Sequence, residues 1–290
     1  MSISALALIL VAALFHALWN FQAKKSRNKL AFVWLFQLAG LGIFLPAFIW
    51  WFEPGPLTWS QWWPVLATGI IHAFYFGFLS QAYDRGDLSM VYPIARGTGP
   101  CLVAVLAVLL LGERISLQAG LGIGAITVGI GMLHLPHGRG LSDLKAALGR
   151  DGASWALLTG MTSALYSLVD KVGVSYFHPV VYVYLLFLGS WLFMTAGLCV
   201  AGHMPRGLAA EWEANRTNIL VVGGLCMSAY LMVLFAMART QVSYVVPLRE
   251  TGILFSVGLG LIFLKERLSA RRCWGAVLVF LGIAAMGMSH

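Results

Sequence analysis

The stretches Arg96-Gly-Thr-Gly99 and Leu111-Gly-Glu-Arg-Ile-Ser116 recur as Arg249-Glu-Thr-Gly252 and Leu264-Lys-Glu-Arg-Leu-Ser269, both 153 residues later. Short motifs of this kind are weak signals individually, but these two recur in the same order and at the same spacing. Self-similarity at a fixed period is the mark of a duplicated unit. The sequence therefore predicts that the chain consists of two related halves.

Further matches lie upstream of these motifs. Ala82-x-x-Arg85 and Ser89-x-x-x-Pro93 recur as Ala236-x-x-Arg239 and Ser243-x-x-x-Pro247, and the run His16-Ala-Leu-Trp-Asn20 aligns with Tyr166-Ser-Leu-Val-Asp170. The spacings are 154 and 150 residues, so the duplication extends through most of each half. In a membrane protein, two related halves commonly enclose a binding site near the middle of the bilayer.

The composition of the chain is that of a membrane protein. Hydrophobic residues make up 60% of it and charged residues 10%, with a mean hydropathy of +0.83, whereas a soluble domain carries roughly 25% charged residues. Residues 3–22 are long enough to cross a bilayer. We interpret them as a retained first helix, because no basic segment precedes them and no small-residue cleavage site follows. The net charge of +8 is then explained by membrane topology, and no nucleic acid partner is expected.

Charged residues, proline and glycine divide the chain into ten apolar segments, which should be helical because lipid offers no partner to unpaired backbone groups. We predict an all-α integral membrane protein with ten transmembrane helices, arranged as two inverted five-helix repeats. The repeats are residues 1–135 and 152–290, joined by a cytoplasmic linker at 136–151 into one transmembrane unit. The predicted spans are 3–22, 30–52, 62–83, 88–111, 117–135, 152–173, 180–202, 217–238, 243–264 and 272–288.

The basic residues are distributed unevenly between the loops. Of the 19 basic residues, 14 lie in loops that follow odd-numbered spans and three in loops that follow even-numbered spans. Because basic loops stay in the cytoplasm, both termini are predicted to be extracytoplasmic. A half with five spans crosses the membrane an odd number of times, so the second half is inverted relative to the first. The expected location is the plasma (inner) membrane, as a multi-pass protein.

The run Pro93-Ile-Ala-Arg-Gly-Thr-Gly99, the Leu-Gly-Glu-Arg segment at 111–114 and the two inverted halves resemble the drug/metabolite transporter (DMT) superfamily, EamA family. The resemblance covers nearly the whole chain. It implies a secondary carrier, in most members an exporter of amino acids, other small metabolites or drugs, with no bound cofactor. It also implies a central cavity lined by spans 1, 3, 4, 6, 8 and 9. The resemblance implies cytoplasmic termini for many members, and the charge count of this chain departs from that pattern.

Two arginines inside predicted spans are the leading candidates for substrate binding. At 1.5 Å per residue, Arg96 lies about 13 Å along span four and Arg249 about 12 Å along span nine, so they flank the midplane from opposite sides. An arginine near the membrane centre costs about 2.5–3.5 kcal/mol on insertion scales and usually faces a cavity or a partner. Nearby proline and glycine residues can free backbone groups to face a substrate. The alternative is a structural role, in which Arg249 is neutralised by Glu250.

Polar and aromatic residues on spans one, three and six complete the predicted binding set. On span one, three of them share a helix face at positions i, i+3 and i+4. Their alternative role is interhelical hydrogen bonding and packing. These further candidates for substrate binding are His16, Trp19, Asn20, His72, Tyr75 and Tyr166.

Few groups within the spans can exchange a proton near neutral pH, and the candidates for proton coupling are Glu250, Asp170 and His16. For Asp170, an exposed ion pair with Lys171 is the alternative. Four cysteines occur singly in apolar segments, and no metal-ligand spacing is present, so neither a metal site nor a disulfide framework is predicted.

The sequence favours a secondary active exporter of a small polar metabolite, amino-acid-like, zwitterionic or anionic, that works by alternating access as a monomer or homodimer. The alternative is a pump for drugs or lipophilic cations. Small multidrug pumps of the DMT superfamily use a carboxylate in the first helix, whereas span one here contains no acidic residue. A non-transport membrane protein is less favoured, as is an intramembrane enzyme, because no His-Glu-x-x-His or Gly-x-Ser-x-Gly motif occurs. We predict that the protein is not an enzyme.

Overall fold

A computed structural model describes residues 3–23, 26, 28–53, 55, 58–85, 88–134, 151–202, 207–263 and 269–288. These residues are almost entirely helical. The helices are α1 (Ile3–Ala23), α2 (Lys29–Trp51), α3 (Trp59–Arg85), α4 (Leu88–Leu111), α5 (Leu117–His134), α6 (Asp151–Gly173), α7 (Pro179–Val200), α8 (Leu208–Met237), α9 (Val242–Arg249), α10 (Gly252–Phe263) and α11 (Ala270–Met288).

Six of the described helices, α2, α3, α4, α7, α8 and α11, are long and apolar enough to cross a membrane. Helices α1 and α5 contain shorter apolar stretches, at Ser4–Trp19 and Leu117–Leu133. The protein is therefore an all-α, multi-pass membrane protein. The sixth and ninth predicted spans correspond to α6 and to the pair α9–α10, which are less apolar or shorter, so the count of ten spans stays a prediction.

Helix α6 is less apolar because it carries buried polar groups. Ser163, Ser167 and Asp170 are all buried on this helix. The Ser167 hydroxyl donates to the carbonyl of Ser163, one turn earlier, at 2.7 Å, a common way for a hydroxyl to be satisfied inside a helix. Because α6 packs against α3 and α4, its polar residues belong to the interior of the bundle.

The ninth predicted span is broken in its middle. Helix α9 ends at Arg249 and α10 begins at Gly252, with Glu250 and Thr251 forming a turn between them. The Thr251 hydroxyl donates to the carbonyl of Leu248 at 2.5 Å, which satisfies one backbone acceptor at the break. A break between two half-helices is a recurring way to build a binding site in transporters.

The largest helix contacts join the two predicted halves. Helix α1 packs on α8 and α10, and its counterpart α6 packs on α3 and α4. Likewise α2 packs on α8 and α3 on α7, while α5 packs on α11. Each of these contacts has a partner in which the roles of the two halves are exchanged.

Glycine contacts between α5 and α11 repeat at the spacing of the sequence duplication. A Cβ atom at Gly122 would lie 2.8 Å from the Gly282 carbonyl oxygen, and one at Gly129 would lie 2.7 Å from the Gly275 carbonyl oxygen. Gly275 and Gly282 follow Gly122 and Gly129 by 153 residues, so each contact maps onto the other when the halves are exchanged. A two-fold relation requires contacts that are self-complementary in this way. From this reciprocity we propose that residues 1–135 and 152–290 are inverted repeats.

The motif Gly120-x-x-x-Gly124 predicts that these two glycines form the close-packing face of α5, and this prediction is wrong. Among the described residues, nothing lies within 4 Å of a Cβ atom at either position. The contact uses Gly122 and Gly129 instead, because those two residues lie on the side of the helix that faces α11.

The outer surface of the bundle is apolar. Leu109, Leu117, Leu121 and Trp274 are each more than 60% exposed, although they are large and hydrophobic. Exposed apolar residues in this number require a non-aqueous partner, which the lipid bilayer supplies. The predicted linker at 136–151 lies outside the described residues, apart from Asp151 at the start of α6.

Candidate substrate-binding site

Arg96, Arg249 and Glu250 form a charged cluster inside the bundle. The Glu250 Oε1 atom lies 3.5 Å from Arg96 Nη1 and 3.5 Å from Arg249 Nη2. Arg249 and Glu250 are 4% and 2% exposed, whereas the Arg96 side chain is 16% exposed. Because one carboxylate faces two guanidinium groups, the cluster carries one net positive charge.

The two arginines lie in different backbone settings. Arg249 is the last residue of α9, directly before the break, and α1 and α4 both pack against α9. Arg96 lies within α4, which continues as one helix from Leu88 to Leu111. The proline and glycine residues near Arg96 therefore do not interrupt α4, whereas those near Arg249 coincide with the break between α9 and α10.

The guanidinium of Arg249 is only partly satisfied. Its Nη2 donates to the Ser163 Oγ and to Glu250, each at 3.5 Å, the long limit of a hydrogen bond. Its buried Nε has no hydrogen-bond partner among the described residues. Leaving a buried donor unpaired is costly, so a further acceptor at this position would stabilise the side chain.

His16 lies on α1, which packs against α9, the helix that ends at Arg249. The Trp19 indole N–H donates to the His16 Nδ1 at 2.9 Å. Trp19 is 7% exposed and packs against Phe36, so the indole belongs to the core and orients His16. Asn20 also lies on α1, but its side chain is outside what the structure describes.

A second polar cluster surrounds Asp170, near the C-terminal end of α6. Its carboxylate accepts a hydrogen bond from the Thr68 hydroxyl at 2.5 Å, from the Tyr182 hydroxyl at 2.9 Å, and from the Tyr230 hydroxyl. Asp170 and Tyr182 are completely buried. The three donors come from α3, α7 and α8, so Asp170 joins four helices. The exposed ion pair with Lys171 is not formed, because Lys171 instead donates to backbone carbonyls of the α8–α9 turn.

Aromatic rings fill the space between the two clusters. The His72 ring stacks on Tyr166 with a centroid distance of 4.0 Å, and Tyr75 and Tyr230 meet the edge or face of Tyr166 at 5.4 and 6.0 Å. The Tyr166 hydroxyl accepts from Ser163 at 3.2 Å. Tyr166 therefore connects the Asp170 side of the site with the Arg249 side.

Sequence reasoning missed Thr68, Tyr182 and Tyr230, the hydroxyl donors to Asp170. They come from three different helices, and only the fold brings them together. One signal was present in the sequence, because Tyr230 is the counterpart of Phe76 at a spacing of 154 residues. A polar residue whose sequence counterpart in the other half is apolar marks a position at which the two halves differ.

Comparison with known proteins identifies the family. A model of the EamA-like transporter family matches residues 3–135 and 150–288, nearly the whole chain. The chain belongs to the EamA-like transporter family. The resemblance stated from the sequence is therefore confirmed at the level of the family.

Curated relatives match part of the chain. The multidrug resistance protein EbrB of Bacillus subtilis (strain 168) is 36% identical over 77 residues, which are 26% of this chain and 64% of that protein. The nicotine metabolites export pump subunit NepA of Paenarthrobacter nicotinovorans is 29% identical over 76 residues, which are 26% of this chain and 66% of that protein. The chain thus spans less than two thirds of the length of these relatives, each of which is less than half as long as this chain.

A solved crystal structure shares the fold. It superimposes with a TM-score of 0.73 over 98% of this chain and 97% of its own, at 19% sequence identity. At that level of identity, the similarity extends to the fold alone.

Proposed function

We propose that this transporter exports small polar metabolites that carry a carboxylate, either zwitterions such as amino acids or simple anions, by alternating access across the plasma membrane. The transported molecule binds between the two halves, at the cluster of Arg96, Arg249 and Glu250.

The observation that carries this proposal is the incompletely satisfied, fully buried guanidinium of Arg249. A guanidinium presents paired N–H donors in a fixed plane that suits the two oxygens of a carboxylate. The net positive charge of the cluster favours an anionic group. Glu250 is placed to accept an ammonium group, so a zwitterion uses both signs of charge in the site.

The test is transport by purified protein in reconstituted vesicles, with a panel of amino acids, dicarboxylates and permanent cations. We expect Arg96→Ala and Arg249→Ala each to lower carboxylate transport by at least about tenfold, because a hydrogen bond to a charged group contributes about 1.5–3 kcal/mol. Arg96→Lys should restore only part of the rate, because an ammonium lacks the planar fork.

Arg216→Ala serves as the matched control, since Arg216 is an exposed arginine on α8 and should leave transport unchanged. Thermal unfolding of each variant in detergent separates loss of binding from loss of folding. Full transport by a well-expressed Arg96→Ala variant, or transport of permanent cations only, overturns the proposal.

We also propose that export is coupled to a proton, with Asp170, His16 and Glu250 as the candidate carriers. Asp170 is favoured by its burial among hydroxyl groups. The titratable groups that contact it are Tyr182 on α7 and Tyr230 on α8. His72 on α3 shares the Thr68 hydroxyl with it, and Arg249 on α9 is connected to Tyr230 through Tyr166 and Ser163.

Export of lipophilic cations is the second candidate function. It is favoured by the similarity to EbrB, a multidrug resistance protein, and by Asp170, a buried carboxylate on which a cation can compete with a proton. The substrate panel separates the two functions, because a cation pump depends on Asp170 and tolerates loss of Arg96.

A further inference from the structure

The loop that follows α4 contains a buried carboxylate. Glu113 is 9% exposed. Its Oε1 accepts the backbone N–H of Val242 at 2.8 Å, and its Oε2 accepts the backbone N–H and the hydroxyl of Ser243 at 3.0 and 2.5 Å. Val242 and Ser243 are the first two residues of α9. A side chain of the first half therefore caps a helix of the second half.

The Glu113 carboxylate supplies the N-terminal cap that the residues next to α9 in the sequence do not supply. The first N–H groups of a helix have no partner within the helix, and the N-cap residue Gln241 makes no side-chain capping bond. A carboxylate suits this position, because the helix N-terminus carries a partial positive charge and charge-assisted hydrogen bonds are the stronger kind. Glu113 is thus the group that holds the start of α9.

The capped helix leads directly to the proposed substrate site. At 1.5 Å per residue, the eight residues of α9 span about 12 Å, with the Glu113 cap at one end and Arg249 at the other. Beside the cap, Lys171 donates from its Nζ to the carbonyls of Met237 and Thr240 at 2.6 and 3.0 Å. The positively charged Lys171 therefore bonds to the turn between α8 and α9, and the negatively charged Glu113 bonds to the first residues of α9.

The duplication provides the same groups for the opposite face. Glu266 and Ser89 are the sequence counterparts of Glu113 and Ser243. Glu266 lies outside the described residues. If the two halves are inverted repeats, we expect these counterparts to meet at the opposite face.

We propose that Glu113 is a latch, whose bonds to Val242 and Ser243 close one face of the transporter and must break and re-form in every transport cycle. Glu113 is then a positioning residue, which acts on Arg249 through α9. This inference rests on the alternating-access function proposed above.

The first test locks the latch covalently. The variant Glu113→Cys/Ser243→Cys, in a background without the four native cysteines, is joined by a short bifunctional thiol reagent that can be cleaved by reductant. Joining the two residues should abolish transport of the carboxylate substrate in vesicles, and cleaving the link should restore it. Full transport by the linked protein shows a static contact and overturns the latch.

The matched control links another contact between the halves. Gln118 on α5 donates to the Ala285 carbonyl on α11 at 3.1 Å, and the linked Gln118→Cys/Ala285→Cys variant should transport normally. Carboxylate transport by the unlinked wild type tests the substrate proposal separately, so failure of that proposal is distinguishable from failure of the latch.

The second test needs no transported substrate. The variant Val246→Cys places a single cysteine at a buried position of α9. The rate at which a membrane-impermeant maleimide labels it measures how accessible this position is from the side of the protein where Glu113 lies. Glu113→Gln should raise its labelling rate by at least about tenfold, because it weakens hydrogen bonds to a charged acceptor. Arg114→Gln, a change at the exposed neighbour, should not alter the rate. If Glu113→Gln leaves the labelling rate of the cysteine at position 246 unchanged, the latch is contradicted. This result can be interpreted even if the Glu113→Cys/Ser243→Cys variant is inactive before it is linked.

Discussion

Asp170 is held by hydroxyl groups instead of by a cation. An ionised carboxylate only accepts hydrogen bonds, and the hydroxyls of Thr68, Tyr182 and Tyr230 all donate to it. When Asp170 gains a proton, the carboxyl group becomes a donor, and one of these hydroxyls can then accept from it instead of donating to it. Because Thr68 also lies 3.0 Å from the His72 Nδ1, we expect a change at Asp170 to reach the aromatic rings beside Arg249.

Replacing Asp170 by asparagine tests this role at the scale of one residue. Asp170→Asn keeps the size of the side chain but cannot exchange a proton, so transport in vesicles should lose its response to an imposed pH gradient. The measurement is the substrate flux with and without that gradient. Tyr230→Phe removes one donor and keeps the carboxylate, so it should alter the response without abolishing it.

His16→Ala and Glu250→Gln complete the comparison. If these two variants and Asp170→Asn all retain the pH dependence of the wild type, none of the three residues couples a proton, and that part of the proposal is wrong.

The sequence indicated individual candidate residues better than the contacts between them. Arg96 and Arg249 could be singled out because the motif around them is repeated and because a charge in an apolar segment stands out. Tyr182 and Tyr230 were not found, because a tyrosine in an apolar helix is usually a packing residue and gives no sign of which carboxylate it meets. Substrate contact by Trp19 stays a prediction, and nothing in the sequence indicated that its indole N–H donates to His16.

At the scale of a helix pair, α5 and α11 depend on glycine. Gly129→Val should lower the thermal unfolding temperature in detergent, because its Cβ would lie 2.7 Å from the Gly275 carbonyl oxygen and from a Val279 methyl group. Overpacking of a close contact typically costs about 1–3 kcal/mol.

Gly124→Val on the same helix is the control for this change. The described structure leaves open space around a Cβ atom at that position, so the variant should unfold at the wild-type temperature. Equal unfolding temperatures for the two variants contradict the observed packing of α5.

The elements themselves were largely predictable, because lipid permits few alternatives to a helix. Predicted bounds such as 88–111 agree with α4. The break after Arg249 could be suspected from Pro247 and Gly252, but similar breakers leave α4 continuous. A proline or glycine permits a break, and the surrounding helices decide whether it occurs.

At the scale of the whole molecule, the distribution of basic residues predicts the orientation. Reporters fused after His290, one active only in the cytoplasm and one active only outside it, should show an extracytoplasmic C-terminus, because 14 of the 19 basic residues lie in loops that would then be cytoplasmic. A fusion after Arg272, in the first turn of α11, should give the opposite signal, because most of the last helix is then missing. Cytoplasmic activity of the full-length fusion contradicts the orientation but leaves the fold intact.

The reciprocal glycine contacts have a consequence for how the two halves can diverge. If the same contacts joined two identical subunits, every substitution would appear twice, so a carboxylate at one symmetry-related position would impose a second carboxylate at the other. A single continuous chain is free of that constraint. It keeps Gly122, Gly129, Gly275 and Gly282 in matching places, where the backbones touch. At the same time it has Asp170 in the second half, where the matching position of the first half holds Asn20. The packing of the helices can therefore stay symmetric while the ionisable groups differ between the two halves.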